Sequence, residues 1–158
     1  MTPYRCVSET GDNFLGKRII DNHLASLMAR TGRKVNNRLA AELRTVGLSL
    51  DAWLVLNMLV TEGGRSMGEI AEALVLNLPT ATKLIDRMVN DNLVYRKPHH
   101  EDRRIIEIFP SDAGVIRHEV AKKLVAKEQA ALKKLIPDLN RLMQELVRMN
   151  RNLDKAGK

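Results

Sequence analysis

The stretch that decides the fold is residues 68–114, GEIAEALVLNLPTATKLIDRMVNDNLVYRKPHHEDRRIIEIFPSDAG. Ser66, two residues before this stretch, and Glu69 within it form a Ser-x-x-Glu capping box. This box predicts the beginning of a short helix. Asn77 predicts the cap of a second helix, and Pro79 is tolerated in its first turn because an N–H would be unpaired there anyway. The sequence therefore predicts two short helices joined by a tight connection.

After the second helix the apolar period changes from helical to alternating. Residues 93–97 (LVYRK) and 105–109 (IIEIF) alternate as strands do, and the polar loop 98–104 (PHHEDRR) joins them. Two helices followed by a hairpin with a basic tip predict a winged helix-turn-helix. The second helix is narrow enough for the major groove of DNA, and the ribbon can place a cation in the adjacent minor groove.

Longer helices are predicted on both sides of this unit. Apolar residues recur at helical spacing from Ile20 to Leu43 over about six turns, and Gly47 is the predicted stop. Ser49 is predicted to cap the next helix, which Gly63 ends. The fold class is thus mainly α with a small β-hairpin wing (α+β), with long helices at both ends.

Apolar stripes are predicted on the neighbouring helices as well. The helix after Ser49 is predicted to bury Trp53, Leu56, Leu59 and Val60. Two C-terminal helices are predicted, separated by Pro137, with the first capped by Ser111. Their apolar stripes are Ile116, Val120, Leu124, Ala131 and Leu135 in the first, and Leu139, Leu142, Met143, Leu146, Met149 and Leu153 in the second.

Composition limits the function. The formal charge of +7 and the pI near 9.8 are compatible with an anionic partner, of which nucleic acid is the first candidate. Aromatic residues make up 3% of the chain, which argues against binding single strands by base stacking. The one cysteine, Cys6, allows no internal disulfide, and no apolar run approaches the roughly 20 residues of a membrane span. We expect a soluble, cytoplasmic protein.

Catalytic and cofactor motifs are not visible in the sequence. It contains no Gly-rich phosphate loop, no His-Glu-x-x-His run and no nucleophile elbow, so we predict neither an enzyme nor a bound cofactor. His99 and His100 look like a metal pair, but a third ligand is not apparent, and phosphate contact is the alternative. We predict no metal site.

The residues resemble the MarR family of winged helix-turn-helix regulators. The resemblance rests on Leu48-Ser49-x-x-x-Trp53 and on the text from Gly68 to Gly114, and the flanking helices match in length and position. It implies one MarR-type domain over 1–158. Its parts are an N-terminal arm (1–16), dimerisation helices (17–47 and 111–158) and the winged helix-turn-helix (48–110). Asn92 stands where the family usually has glycine, and asparagine is the next best left-handed cap.

The most specific element of the resemblance is Asp102-Arg103-Arg104 in the wing. In the family this Asp-x-Arg unit holds the wing, which implies that Asp102 pairs with and orients Arg104 toward the minor groove, with Arg103 nearby. A solvated charged turn is the plainer alternative.

The recognition helix supplies the other predicted DNA contacts. With Ser66 and the wing arginines, the predicted DNA-binding residues are Ser66, Pro79, Thr80, Thr82, Lys83, Arg87, Arg103 and Arg104. Thr80 and Lys83 are predicted to read bases, Thr82 and Arg87 to contact the backbone, and the first-turn N–H groups of the helix to attract phosphate. The alternative is an ordinary solvated helix face.

Dimerisation and ligand binding are predicted as well. The terminal helices carry more apolar side chains than so small a domain can cover, so a second copy should bury them and present two recognition helices to a pseudo-palindrome. Many members of the family release DNA on binding small aromatic or phenolic acids. The facing candidates here are His23, Leu27, Arg30 and Trp53. The residue types favour the plainer alternative, in which Leu27 and Trp53 are core residues and Arg30 is a surface or DNA-facing cation.

Other functions remain open at this point. A regulator without an inducer, whether an activator or a redox-responsive protein, fits the same pattern, although Cys6 lies in an arm that offers little to activate a thiol. A helical module that binds protein rather than DNA is the rival from another class.

Overall fold

The computed structural model describes residues 23–102 and 104–156. The predicted arm (1–16) and the beginning of the first helix lie outside the described residues. The elements, in chain order, are α1 (Leu24–Arg44), α2 (Leu50–Glu62), β1 (Arg65–Ser66), α3 (Met67–Ala73), α4 (Leu78–Asn90), β2 (Val94–Pro98), β3 (Ile106–Pro110), α5 (Asp112–Leu135) and α6 (Leu139–Ala156). The chain forms two compact units, one ending at Asn37 and one beginning at Arg38, and α1 crosses their boundary.

A three-stranded antiparallel sheet lies in the second unit, with strand order β1-β3-β2. The hairpin strands are confirmed, each one residue later than predicted. The two-residue strand β1 was not predicted, because two residues are too few to show an alternating pattern. Its Arg65 pairs with Ile108 of β3, while Arg96 of β2 pairs with Ile108 from the other side. The side chain of Ile108 is fully buried, so the middle of β3 anchors the sheet to the core.

The predicted helix caps are confirmed. At each one the capping side chain accepts the N–H of the residue three positions on, with donor–acceptor distances of 2.9–3.3 Å. The four caps are Ser49, Ser66, Asn77 and Ser111. Because each cap satisfies a first-turn N–H that the helix itself cannot, these residues define where the helices begin.

Two predicted helix ends are also confirmed. Gly47 has φ 71° and Asn92 has φ 55°, both in the left-handed region that ends a helix. After Gly47, the N–H of Leu48 donates to the carbonyl of Leu43 at 3.1 Å, as in a Schellman motif. Asn92 therefore adopts the left-handed conformation for which the family usually has glycine.

The buried face of α2 differs from the prediction. Ala52, Val55, Leu56 and Leu59 are buried, whereas Trp53 and Val60 are only half-buried. The prediction was wrong about the centre of the face, because α2 contacts β3, α4 and α5 together and so is covered on more than one side. Leu56 and Leu59 belong to both the predicted and the observed face.

The apolar stripe predicted along α5 is largely exposed in the single chain. Ile116 and Leu135 are 68% and 65% exposed, and the buried positions are instead Gly114, His118, Ala121 and Glu128. Gly114 allows the close approach, since a Cβ there would lie 2.0 Å from the carbonyl oxygen of Leu93. The face of α5 that packs on the winged core is therefore not the face that carries its apolar stripe.

The α6 stripe is uncovered in the same way. Leu139 is buried, but Leu142, Met143, Leu146 and Leu153 are 39–61% exposed. One chain therefore does not cover the apolar surface of its C-terminal helices. In the described part of the chain, no helix combines the length and the apolar character needed to cross a membrane.

Val75 marks the tight connection between α3 and α4. It has φ 54°, and its N–H donates to the carbonyl of Glu72 while that of Leu76 donates to Ala71 at 2.8 Å. A β-branched residue is rarely found in this left-handed region, because its Cβ crowds the backbone. The side chain is also 92% exposed, so it gains little from packing.

We predict that Val75→Gly raises the free energy of unfolding by about 0.5–1 kcal/mol, because relief of the left-handed strain outweighs the backbone entropy of glycine. Chemical denaturation measures the change. Val75→Ala is the matched control, since it keeps a Cβ and should gain less. A Val75→Gly variant less stable than the wild type would contradict the strain at this turn.

Candidate nucleic-acid interface

The exposed face of α4 carries the predicted contact residues. Ala81, Ile85 and Met88 are buried and hold the helix on the core. The five predicted residues of this helix, Pro79, Thr80, Thr82, Lys83 and Arg87, are all exposed. The Arg87 side chain is 79% exposed, with Nε 3.9 Å from an Asp91 carboxylate oxygen, so this pair is weakly held in water. Lys83 and Arg87 are therefore placed to meet an anion.

Two hydroxyl groups that were predicted to contact DNA are engaged within the protein. Thr82 Oγ1 donates to the carbonyl oxygen of Leu78 at 2.9 Å. Ser66 donates through both its backbone N–H and its hydroxyl to Glu69 Oε2, each at 2.8 Å. These hydrogen bonds from Ser66 lower the pKa of the Glu69 carboxyl below its usual value. In this structure Ser66 fixes the start of α3, and its role at DNA stays a prediction.

Hydrogen bonds made by the side chain and the main chain of His99 hold the tip of the wing. His99 Nδ1 accepts the N–H groups of Glu101 and Asp102 at 3.2 and 3.3 Å. The His99 N–H donates in turn to the Ile105 carbonyl at 2.9 Å. His99 therefore caps the turn of the hairpin. This role was not predicted from the sequence, where His99 was considered only together with His100.

Asp102 orients Arg104 through the backbone. Its Oδ1 accepts the N–H of Arg104 at 3.0 Å, which is an Asx-type turn. Across residues 23–102 and 104–156, no ion pair joins the carboxylate of Asp102 to the exposed guanidinium of Arg104. The resemblance implied a side-chain pair, whereas the observed contact shapes the main chain and leaves the Arg104 side chain exposed. Arg103 lies outside the described residues.

An ion pair between α4 and the wing was not predicted. Arg96 Nη2 on β2 contacts Asp86 Oδ1 on α4 at 2.5 Å, with both side chains partly exposed. It connects the recognition helix directly to the first wing strand. No helical or strand spacing relates two residues ten positions apart on different elements, so only the folded arrangement reveals this pair.

Aromatic contacts stiffen the same ribbon. The rings of Tyr95 and Phe109 stack across the strands with centroids 5.7 Å apart, and Lys97 Nζ lies 6.0 Å from the Phe109 centroid. Gly64 leaves the space for the Phe109 ring, since a Cβ there would come within 2.3 Å of it. These contacts join the base of the wing to the segment that precedes α3.

The predicted ligand residues fall in different units. His23 and Leu27 are exposed and Arg30 is half-buried in the first unit, whereas Trp53 belongs to the second. A pocket that contains all four stays a prediction. Trp53 Nε1 is buried, and no hydrogen-bond acceptor for it is found among the described residues.

Metal binding was not predicted, and residues 23–102 and 104–156 hold no group of three His, Cys, Asp or Glu side chains that could share an ion. The rings of His99 and His100 have centroids 4.7 Å apart. The buried His118 has Nε2 3.1 Å from Asn57 Oδ1, so at that nitrogen it is a partnered helical histidine.

A capped helix pair, with a recognition helix bound to a β-ribbon, defines a winged helix-turn-helix protein. The model of the MarR family matches residues 48–106. The HTH-type transcriptional repressor IacR of Pseudomonas putida is 27% identical over 122 residues, covering 74% of this chain and 73% of that protein. Residues 48–106 are therefore a MarR-type region, and the chain is a DNA-binding transcriptional regulator.

Solved structures agree with this assignment. The transcriptional repressor CouR bound to a 23-mer DNA duplex matches with a TM-score of 0.74 and 26% identity, covering 93% of this chain and 99% of that one. CouR from Rhodococcus jostii RHA1 bound to p-coumaroyl-CoA matches with a TM-score of 0.72 and 22% identity, covering 82% and 93%. The predicted fold class and family are confirmed. Because the family consists of transcriptional regulators, the prediction that the chain is not an enzyme is confirmed too.

We predict that Asp102→Ala weakens binding to a DNA duplex by about 1 kcal/mol, roughly fivefold, because the Arg104 N–H loses its acceptor and the turn loosens. Asp102→Asn is the matched control. It keeps an Oδ1 acceptor, so its affinity should equal or exceed that of the wild type. Fluorescence anisotropy measures both. An Asn variant as weak as the Ala variant would show that the negative charge, acting on a guanidinium, is what matters.

Proposed function

We propose that the protein is a homodimeric repressor that binds a pseudo-palindromic operator in duplex DNA and is released by a small aromatic-acid-derived ligand. The observation that carries the proposal is the Asp86–Arg96 contact between α4 and β2, because it couples the helix that would enter the major groove to the ribbon that would reach the minor groove. The two DNA-binding elements then act as one surface.

The contacts on this surface divide by chemistry. Thr80 and Lys83, near the beginning of α4, are proposed to meet base edges, and Arg87, one turn further on, the phosphate backbone. The exposed Arg104 is proposed to enter the minor groove, where a narrow groove concentrates negative potential. Arg103 is adjacent to it in the sequence, and the same role is proposed for it.

The C-terminal helices support a dimer. Eight large apolar side chains on α5 and α6 are between 39% and 68% exposed in the single chain. They are Ile116, Val120, Leu135, Leu142, Met143, Leu146, Val147 and Leu153. Monomeric proteins rarely expose so much apolar surface on neighbouring elements, and a two-fold partner would bury it while setting the recognition helices about one DNA turn apart.

Repression and release by ligand are proposed from the relatives together with one feature of this chain. IacR and CouR are both named repressors, and CouR has been seen with DNA and with p-coumaroyl-CoA. In this chain the buried Nε1 of Trp53 has no acceptor among residues 23–102 and 104–156, and a ligand carboxylate or phenol oxygen would satisfy it. The residues that the sequence placed with it, His23, Leu27 and Arg30, complete the proposed site.

We predict that Arg104→Ala weakens operator binding by about 1–3 kcal/mol and lowers the slope of log K against log salt, since one cation at the phosphates is lost. Lys123→Ala on α5 is the control, because it removes an equal exposed charge outside the interface. Gel shift across a salt series measures both. Equal losses in the two variants would mean that only net charge matters and would remove the wing from the mechanism.

Trp53 offers a direct test of the ligand, because it is the one tryptophan of the chain. Adding p-coumaroyl-CoA or free p-coumarate should change its fluorescence and release a labelled duplex over the same concentration range. Trp53→Phe keeps an aromatic ring without the N–H donor, so it should bind DNA normally and need more ligand for release. Release unaltered by this substitution would separate Trp53 from the ligand site.

A further inference from the structure

The recognition helix begins with an apolar surface. Leu78, its first residue, is 56% exposed, and Pro79 beside it is exposed as well. Neither lies on the inward face, which Ala81, Ile85 and Met88 form. A leucine left in water here gives up the stabilisation that burial of its side chain would provide. Leu78 and Pro79 therefore lie exposed on the part of α4 that is proposed to contact DNA.

The same end of α4 is poorly suited to hold a phosphate. Anion binding at a helix beginning depends on free first-turn N–H groups. Pro79 has none, the Thr80 N–H donates to Asn77 Oδ1 at 2.9 Å, and the Ala81 N–H donates to the Asn77 carbonyl at 3.0 Å. Two of the N–H groups expected to attract phosphate are thus engaged with Asn77 and a third is missing at Pro79, which leaves fewer of them for a phosphate. Contact with bases fits this arrangement better.

Thr82 extends the apolar surface along the helix. It lies four residues after Leu78, and side chains at that spacing are neighbours on a helix. Its hydroxyl proton is committed to the Leu78 carbonyl, so a ligand meets a methyl group and acceptor lone pairs but no free donor. Leu78, Pro79 and Thr82 together form what we call the apolar start of α4.

We infer that the apolar start of α4 reads a thymine through its C5-methyl group, with Leu78 making the main contact. The inference rests on the proposed function, since it needs α4 in the major groove. Of the groups that the four base pairs present there, the thymine methyl is the apolar one. Leu78 would thus select a thymine at one position of each half-site, while Lys83 provides the polar contact one turn further along.

Replacing thymine by deoxyuridine tests this contact atom by atom, because it removes the methyl group and leaves the base pair and its hydrogen-bonding edges in place. The probe is a duplex that the wild-type protein selects from a random library, resynthesised with each thymine changed singly. One position per half-site should lose about fourfold in affinity, the factor that corresponds to about 0.8 kcal/mol for one buried methyl-sized group. Other thymines should show little change.

Two substitutions of the protein, Leu78→Ala and Leu78→Met, test whether the Leu78 side chain makes the contact with the methyl group. The Ala variant should bind the thymine duplex about fourfold more weakly than the wild type and be indifferent to deoxyuridine at the sensitive position. The Met variant keeps an apolar side chain of similar volume and should keep the sensitivity. The side chain is more than half exposed, so both variants should unfold near the wild-type temperature.

Two different failures can be told apart. If the protein selects a duplex but no thymine responds, or if wild type and Leu78→Ala respond alike at every position, the thymine contact is wrong and the regulator function stands. If no duplex is selected even in dilute buffer, the proposed function fails and this inference fails with it.

Discussion

The three-stranded sheet is the constraint on which the DNA-binding surface depends. Its middle strand, β3, hydrogen-bonds to β1 on one side and to β2 on the other. Because β1 leads directly into α3 and β2 follows α4, one strand holds both ends of the helix-turn-helix. The fully buried Ile108 fixes β3 in the core, so the positions of two helices and of the wing follow from a single buried strand. Ser66 strengthens this link, since it pairs with Glu107 and also caps α3.

The side chains proposed to contact DNA gain their placement from this arrangement rather than from contacts with one another. Arg96 reaches Asp86 from β2, and the stacked Tyr95 and Phe109 hold the base of the ribbon. Lys83 and Arg87 stay exposed on α4, and Arg104 stays exposed beyond a turn that Asp102 shapes. A packed frame that carries exposed cations suits a polyanion, because attraction to phosphates needs exposed charge while reading of bases needs a fixed register.

Much of the fold could be predicted from local chemistry. Caps such as Asn77 and Ser111 act within three residues, so the sequence shows them directly, and alternation located both wing strands to within one residue. Features that depend on distant parts of the chain were missed or misplaced: strand β1, the Asp86–Arg96 pair and the buried face of α5. Periodicity showed that the Ile116 stripe is apolar, but it does not show which face of α5 packs on the core. Asp102 was expected to contact the side chain of Arg104. An Asp-x-Arg spacing does not distinguish that contact from the observed one with the Arg104 main-chain N–H.

The uncovered stripes on α5 and α6 are the basis of the proposed dimer. If a second copy covers these stripes, each operator is contacted by two winged helix-turn-helix units related by two-fold symmetry. Hydroxyl-radical footprinting of a selected duplex tests this most directly, because it reports minor-groove contacts base by base. The account predicts protection that is symmetric about a centre and repeats at about 10–10.5 bp, one helical turn. A single unsymmetrical block of protection, or a duplex cut evenly along its length, would contradict it.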